Sequence, residues 1–224
     1  MRQAAVSVLP DIPTSTPTTP RILLVTRTTL LTWFTFFCTM AGYYFIMSWT
    51  PRLLTTAGLA TNQGLTGGIL LNLGGIAGCG LYALAASRVN ARLLLTLSLV
   101  ATALLIGAFG QSMDHFAAAL ATGLLLGTIA NAAMAGLYAV GPTLYPTAVR
   151  ATGMGSAIGI GRFGAILAPI VSGALLDAGW TPGRLYVLFV VPYLIAALAM
   201  LGILWSERRT AAASLELYST PNPP

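Results

Sequence analysis

The residue that most needs a chemical explanation is Arg162, in the stretch GIGRFGAILAP from Gly159 to Pro169. It is the only ionisable side chain in an apolar run from about Thr152 to Leu176. A charged arginine near the centre of such a run costs about 2.5–3.5 kcal/mol on insertion scales, so its guanidinium should face water or an anion. A guanidinium fork binds a carboxylate through two parallel hydrogen bonds, most strongly in a dry site. Arg162 is therefore a candidate to bind an anionic group.

Side chains for enzymatic chemistry are missing from the long apolar runs of this sequence. None of these runs carries Asp, Glu, His or Lys, and the chain has no HExxH, phosphate-binding loop or GxSxG motif. GIGRFG is not a dinucleotide-binding fingerprint, because it interrupts an apolar run and does not follow a strand. We therefore expect no enzyme, no cofactor and no metal site.

Composition identifies the solvent in which Arg162 must lie. Of the 224 residues, 56% are hydrophobic and only 7% are charged, whereas about a quarter of the residues are charged in a soluble domain. The net charge of +6 does not indicate nucleic-acid binding, because the arginines are scattered between apolar runs and do not form one basic face. The composition predicts an integral membrane protein.

The apolar runs have the length of membrane spans, since about 30 Å of hydrocarbon needs roughly 20 helical residues. Six such runs are present, with short turns between them. They are approximately Thr29–Trp49, Leu65–Ala86, Leu93–Phe109, Phe116–Val140, Thr152–Leu176 and Leu185–Trp205. We expect an all-α membrane protein in which residues 28–206 form a bundle of six transmembrane helices.

Glycines recur at four-residue spacing on three of the spans. The pairs are Gly74/Gly78, Gly123/Gly127 and Gly155/Gly159. Small residues at this spacing let helix backbones approach closely in lipid, although glycine is also a general component of transmembrane helices. The second and fifth spans are both rich in glycine, and this likeness favours two inverted repeats of three helices, as in many transporter halves.

Arginine positions predict the orientation of the spans. If the N-terminus lies in the cytoplasm, eight arginines fall inside and only two, Arg52 and Arg184, fall outside. The eight are Arg2, Arg21, Arg27, Arg88, Arg92, Arg150, Arg208 and Arg209. Because positive charge collects on the cytoplasmic side, we expect both termini in the cytoplasm.

The two ends of the chain are expected to be cytoplasmic segments. Residues 1–27 are rich in Pro, Ser and Thr and lack the apolar core of a cleavable signal peptide, so the first span should act as its own insertion signal. Residues 207–224 end in a proline-rich sequence and are expected to be disordered. Cys38 and Cys79 are interpreted as small buried hydrophobic residues and not as a disulfide.

Two stretches of the sequence resemble a known family. LYPTAVRATGMGSAIGIGRFGAILAP, from Leu144 to Pro169, and YYFIMSWTPRLLTTAGL, from Tyr43 to Leu59, resemble the C-terminal half of a major facilitator superfamily transporter. Within that superfamily the chain is most similar to the aromatic acid:proton symporters, which take up benzoate-type and hydroxybenzoate-type carboxylates in bacteria. The resemblance implies a twelve-helix transporter of the bacterial inner membrane. This chain would hold helices seven to twelve, and residues 1–27 would correspond to the central interdomain loop.

The resemblance also implies a cytoplasmic gate formed by Arg88, Arg92 and Arg150. The loop SRVN resembles the Asp-Arg gating motif of the family, but Ser87 stands where an aspartate is expected. Thr143 likewise occupies a position that is acidic in many sugar-transporting and organic-ion-transporting relatives. These two departures weaken the expected clasp of charges at this gate.

An aromatic acid needs a ring platform and hydrogen-bonding groups besides a cation. The candidates beside Arg162 are Tyr43 and Tyr44 in the first span, Asn72 in the second, and Asn131 and Tyr138 in the fourth. Polar groups in lipid usually face the bundle interior, although each candidate could also be a helix-packing contact. Trp33, Phe36 and Phe37 could line the same cavity or face lipid. Arg162 itself could bind substrate, pair with the absent half, or snorkel to the interface.

The sequence thus predicts transport of small organic anions, with alternating access between two six-helix bundles. The expected partners are the anion, protons, the lipid bilayer, and a complementary six-helix half or a second copy of the chain, with no nucleic acid. Since no titratable group with a suitable pKa lies in the spans, a proton site would have to be elsewhere. The alternatives are a transport-inactive remnant, a membrane interaction protein, and a sugar or organic-cation transporter.

Overall fold

The described part of the chain forms six long helices. A computed structural model describes residues 26–56, 58, 60–113 and 115–219, with side chains described up to 206 and at 209. The helices are α1 Arg27–Thr56, α2 Thr61–Ala86, α3 Ala91–Ser112, α4 Phe116–Val140, α5 Arg150–Asp177 and α6 Pro182–Ser219, and a 3₁₀ turn, Gly141–Leu144, follows α4. All six helices contain segments that are long and apolar enough to cross a membrane. The predicted six-helix membrane fold is confirmed.

Two helices extend beyond the predicted spans. α1 continues through Pro51 to Thr56. The hydroxyls of Thr55 and Thr56 both donate to the carbonyl oxygen of Arg52, at 2.7 and 2.9 Å. This carbonyl is one of those at a helix end that lack a backbone partner within the helix. α6 continues to Ser219, so the prediction of disorder from residue 207 onward does not hold as far as Ser219. That segment is rich in Ala, Leu, Glu and Arg, which favour helix. The predicted segment 1–27 lies outside the described residues except for 26 and 27.

The packing of the helices repeats after three. α2 packs against α4 and α1 against α5; α3 packs against α4 and α6 against α1; and α3 packs against α6. If α1 is exchanged with α4, α2 with α5 and α3 with α6, the same set of helix pairs results. Because successive helices cross the bilayer in opposite directions, the two triplets are inverted relative to each other. The bundle is therefore a 3+3 inverted repeat.

The aromatic core lies between α1, α3 and α6. The rings of Phe45 and Phe189 are stacked with centroids 3.9 Å apart. The ring of Tyr186 contacts both Phe45 and Phe109, at centroid distances of 5.0 and 4.9 Å. α3 and α6 thus form a layer on one side of α1, which we call the back layer, whereas α2 and α5 flank the opposite side of the bundle.

The close contact between α2 and α4 depends on glycine. A Cβ atom on Gly78 would collide with the carbonyl oxygen of Thr128, and one on Gly127 would collide with the carbonyl oxygen of Leu71. The glycine pairs predicted on these two helices are confirmed as packing sites. The pair on α5 is not, because Gly155 and Gly159 have nothing within 4 Å of a Cβ.

The helix contact on α5 lies instead at Gly164, where a Cβ would meet the carbonyl oxygen of Phe37 on α1. Gly155 and Gly159 belong to the exposed face of α5, on which Phe163 is 64% exposed. The exposed face of α2 is similarly apolar, with Ile76 75% exposed. These two faces have no neighbour within the described part of the chain.

Candidate functional site

Arg162 lies midway along α5 and contacts α1. Its Nη1 donates a hydrogen bond of 2.8 Å to the hydroxyl oxygen of Tyr44, and its Cζ lies 5.9 Å from the centroid of the Tyr44 ring. The residue is exposed in this structure. A guanidinium has five N–H donors, and one contact with a neutral phenol leaves its charge uncompensated. Arg162 can therefore accept an anion without losing its position.

The neighbouring tyrosine contacts a different helix. Because successive residues on a helix point about 100° apart, Tyr44 reaches α5 whereas Tyr43 reaches α4. The hydroxyl of Tyr43 donates to Oδ1 of Asn131 at 3.0 Å, and Nδ2 of Asn131 donates to the carbonyl of Gly127 at 2.9 Å. The amide of Asn131 is thus held in one orientation.

The two tyrosines join these contacts into one row across three helices. Their rings meet edge to face, with centroids 5.7 Å apart and planes at 82°. Arg162, Tyr44, Tyr43 and Asn131 form what we call the central polar row. The row presents a cation at one end, an amide at the other and two aromatic rings between them. This is a suitable set of groups for a flat ligand that has a negative end and a polar end.

α2 supports the amide end of the row with two residues that were not predicted as part of the site. A Cβ on Gly75 would lie 2.5 Å from Nδ2 of Asn131, so the absence of a side chain at 75 makes room for the amide. The Cys79 sulfur lies 3.9 Å from the carbonyl oxygen of Asn131. Cys79 is exposed and free, which corrects its interpretation as a buried residue; Cys38 is buried as expected.

Two of the predicted site residues lie away from the row. Asn72 is exposed on α2 and its Nδ2 donates to the carbonyl of Gly68 on the same helix, at 2.8 Å. It lines an apolar groove of about 360 Å³ with Pro51 and Ile69. Tyr138 lies two turns of α4 beyond Asn131 and packs edge to face on Phe36, with ring centroids 5.9 Å apart.

The other aromatic candidates are divided between two places. Phe36 is fully buried, under the ring of Tyr138. Trp33 donates from Nε1 to the hydroxyl of Ser156 at 3.1 Å. Trp33 and Phe37 line a separate apolar groove of about 330 Å³ between α1 and α5. Among the described residues, none of the three forms a hydrogen bond or an aromatic ring pair with the four residues of the central polar row.

The predicted gate residues lie at one end of the bundle, where α3 and α5 begin. Arg92 donates from Nη2 to Thr143, at 3.3 Å to the hydroxyl oxygen and 3.4 Å to the carbonyl oxygen. This contact joins the start of α3 to the 3₁₀ turn after α4. Arg88 and Arg150 are exposed, and no ion pair is recorded for them within the described residues. The polar contact of Arg92 with Thr143 stands where the resemblance implies a clasp between opposite charges.

The sequence of this chain is similar to the sequences of several known transporters. No protein-family model matches the chain. The 4-hydroxybenzoate transporter PcaK of Pseudomonas aeruginosa is 31% identical over 173 residues, which are 77% of this chain and 39% of that protein. The gallate transporter of Pseudomonas putida is 34% identical over 174 residues, 77% of this chain and 38% of that protein.

A third similar protein, from Escherichia coli, is also named as a transporter of a hydroxylated aromatic acid. Its 3-(3-hydroxy-phenyl)propionate transporter is 30% identical over 183 residues, 80% of this chain and 44% of that protein. The chain spans about two fifths of the length of the curated relatives that it matches. These relatives are transporters and not enzymes, and six apolar helices make the chain a multi-pass membrane protein. The chain is therefore a partial member of the aromatic acid transporters of the major facilitator superfamily.

Proposed function

We propose that this chain is one half of a transporter for small aromatic carboxylates, corresponding to the C-terminal six helices, and that it is not an enzyme. The observation that carries the proposal is the central polar row, which places the exposed guanidinium of Arg162 beside two tyrosine rings midway along the helices. The named substrates of the three relatives each combine a carboxylate with a hydroxylated ring. The row offers a partner for each of those parts.

The carboxylate of the substrate binds the guanidinium of Arg162 in this scheme. A bidentate pair with a carboxylate uses two parallel N–H donors of the guanidinium. Tyr44 accepts a hydrogen bond of 2.8 Å from Nη1, and the remaining N–H donors can bind the carboxylate. The aromatic ring of the substrate packs on the rings of Tyr43 and Tyr44. The ring hydroxyl then reaches Asn131, whose Oδ1 already accepts a hydrogen bond from Tyr43.

Transport requires a second six-helix bundle, either a complementary half or a second copy. The apolar exposed faces of α2 and α5, with Ile76 and Phe163 among their most exposed residues, are the surfaces that such a bundle would cover. Rocking of the two bundles would expose the central polar row to each side of the membrane in turn. Arg92 and Thr143, with Arg88 and Arg150 nearby, would close one end.

Membrane location and coupling follow the same proposal. The chain lies in the bacterial inner membrane with both termini in the cytoplasm, because the arginine-rich end then faces inward. Transport is coupled to protons through a group in the complementary half. The described spans carry no Glu, His or Lys, and their one Asp, Asp177, is the last residue of α5, so no acidic or basic group that could release and take up the proton lies in their interior.

Uptake measurements test the proposal. Bacterial cells that lack 4-hydroxybenzoate uptake would express the chain alone, a complementary six-helix half alone, or both, and accumulation of labelled 4-hydroxybenzoate would be measured. We expect accumulation only with both halves, and its loss with Arg162→Ala. Unchanged uptake and affinity in Arg162→Ala would overturn the role of Arg162. If the two halves assemble but never transport while a full-length relative does so in the same cells, the chain is a transport-inactive remnant.

A further inference from the structure

A second recess lies on the back layer, between the end of α3 and the start of α6. It is an open groove of about 760 Å³, which is larger than either groove beside α1 or α2. Six of its lining residues carry the argument: Gln111, Trp180, Thr181, Arg184, Val187 and Val191. It shares no residue with the central polar row, which lies on α1, α4 and α5.

Two glycines create this groove. A Cβ on Gly110 would lie 2.9 Å from the Cβ of Tyr186, and one on Gly183 would lie 3.3 Å from the carbonyl oxygen of Gly110. α3 and α6 therefore meet almost backbone to backbone at this point. Because neither helix has a side chain at the contact, a trough remains beside it. Val187 and Val191, one and two turns further along α6, are half exposed and form its apolar wall.

The two ends of the groove differ in chemistry. At the end of the helices, Arg184, Gln111 and Thr181 are exposed polar side chains beside the indole of Trp180. Within the described part of the chain, no ion pair is recorded for Arg184. Towards the membrane interior the lining is aliphatic. A cation and an indole at the membrane boundary above an apolar trough complement a phospholipid with a negative headgroup.

The position of the groove agrees with a lipid occupant. α3 and α6 form the back layer, whereas the apolar faces that a second bundle would cover lie on α2 and α5. A ligand in this groove therefore meets the surrounding bilayer and not the transport path. We propose that the groove binds an anionic phospholipid, with its phosphate at Arg184 and an acyl chain along Val187 and Val191. This inference does not depend on the proposed transport activity.

Native mass spectrometry of the full chain tests the proposal. The protein would be purified in detergent with equimolar phosphatidylglycerol and phosphatidylcholine, and the ratio of the two lipids retained would be measured. Since one basic residue near the surface contributes about 1 kcal/mol to anionic lipid binding, Arg184→Gln should lower the phosphatidylglycerol preference about fivefold. Arg184→Lys should keep most of the preference. Val187→Trp, which fills the trough, should lower the retention of both lipids.

The matched control is Arg52→Gln. Arg52 lies at the end of α1, on the same side of the bundle as Arg184, but it packs on Trp49, with its Cζ 5.1 Å from the ring centroid. We expect this variant to leave the lipid ratio unchanged. An equal loss of preference in both Gln variants, or in neither, would overturn the proposal. Displacement of phosphatidylglycerol by excess inorganic phosphate would also overturn it, since that result identifies a simple anion site.

Discussion

At the scale of single residues, the charge of Arg162 dominates the energetics of the site. Tyr44 accepts a hydrogen bond from the guanidinium but supplies no counter-charge. Among the side chains that the structure describes, the only acidic one is that of Asp177, at the far end of α5. Hydrogen bonds that involve a charged group contribute about 1.5–3 kcal/mol. An anionic ligand gains such bonds and at the same time relieves the cost of an unpaired cation in lipid.

The first prediction concerns that charge. In the assembled transporter, Arg162→Gln should raise the half-saturating concentration of 4-hydroxybenzoate about tenfold to a hundredfold, because it removes about 1.5–3 kcal/mol of charged hydrogen bonding. Arg162→Lys should lie between, since it keeps the charge and loses the planar fork. The concentration dependence of initial uptake rates measures both. Arg27→Gln, at the start of α1, is the control, and an equal effect there would contradict the prediction.

The second prediction concerns the other end of the central polar row. Tyr43→Phe removes the hydroxyl that donates to Asn131 at 3.0 Å, so the amide of Asn131 is no longer held in the orientation that binds the ring hydroxyl of the substrate. The neutral hydrogen bond between this amide and the substrate is worth about 0.5–1.5 kcal/mol. The preference for 4-hydroxybenzoate over benzoate should fall about threefold to tenfold, with benzoate uptake unchanged. Competition assays with the two acids measure this. Tyr138→Phe, which alters a ring outside the row, should leave the preference intact. An equal loss of both substrates in Tyr43→Phe would indicate a packing role only.

At the scale of helices, the spacing of glycines predicts a row of small residues on one face of a helix, which we call a stripe, but it does not predict which helix packs against that face. Gly74 and Gly78 on α2 lie against carbonyl oxygens of α4, and Gly127 on α4 lies against the carbonyl oxygen of Leu71 on α2, whereas Gly123 faces the ring of Phe109 on α3. The same repeat on α5 faces open space, and the contact with α1 is made by Gly164. The direction in which a stripe points depends on tertiary packing, which no local pattern in the sequence contains.

The third prediction uses this difference between glycines. Gly127→Ala places a Cβ against the carbonyl of Leu71, and overpacking of this kind costs about 1–3 kcal/mol. Gly159→Ala has open space around its Cβ and gains helix propensity of up to about 1 kcal/mol. Thermal unfolding of the two purified variants should show a lower midpoint for Gly127→Ala and an unchanged or higher one for Gly159→Ala. Equal midpoints would contradict the packing described for α2 and α4.

The site shows a similar limit of prediction from sequence. Arg162, Tyr43, Tyr44 and Asn131 stand out as polar or aromatic residues in apolar spans, and these four meet in the structure. Asn72 stands out for the same reason but bonds to its own helix. Adjacent numbering indicates that Tyr43 and Tyr44 point in different directions, yet only the arrangement of α4 and α5 determines what each one contacts. Gly75 carried no signal of its own, because its role is to leave space for another residue's amide.

At the scale of the whole molecule, the fourth prediction concerns orientation. The turn between α1 and α2, near Gly58, should lie on the opposite side of the membrane from both chain termini, because one described span precedes this turn and five follow it. Green fluorescent protein fused after Pro224 should fluoresce, and alkaline phosphatase inserted after Gly58 should be active. The reverse pattern of reporter signals would show that the arginine-rich end faces outward. Fusions to a relative of known orientation serve as the control.

The neighbouring tyrosines of α1 have a mechanical consequence for the molecule. Tyr43 is hydrogen-bonded to α4 and Tyr44 to α5, so both bonds have their origin on one short arc of a single helix. A rotation of α1 about its long axis would therefore change the geometry of both hydrogen bonds at once. A ligand that pulls on the guanidinium of Arg162 would therefore also pull on α1 through Tyr44, and through Tyr43 on α4. Two helices of the second triplet are in this way coupled through the first helix of the other triplet.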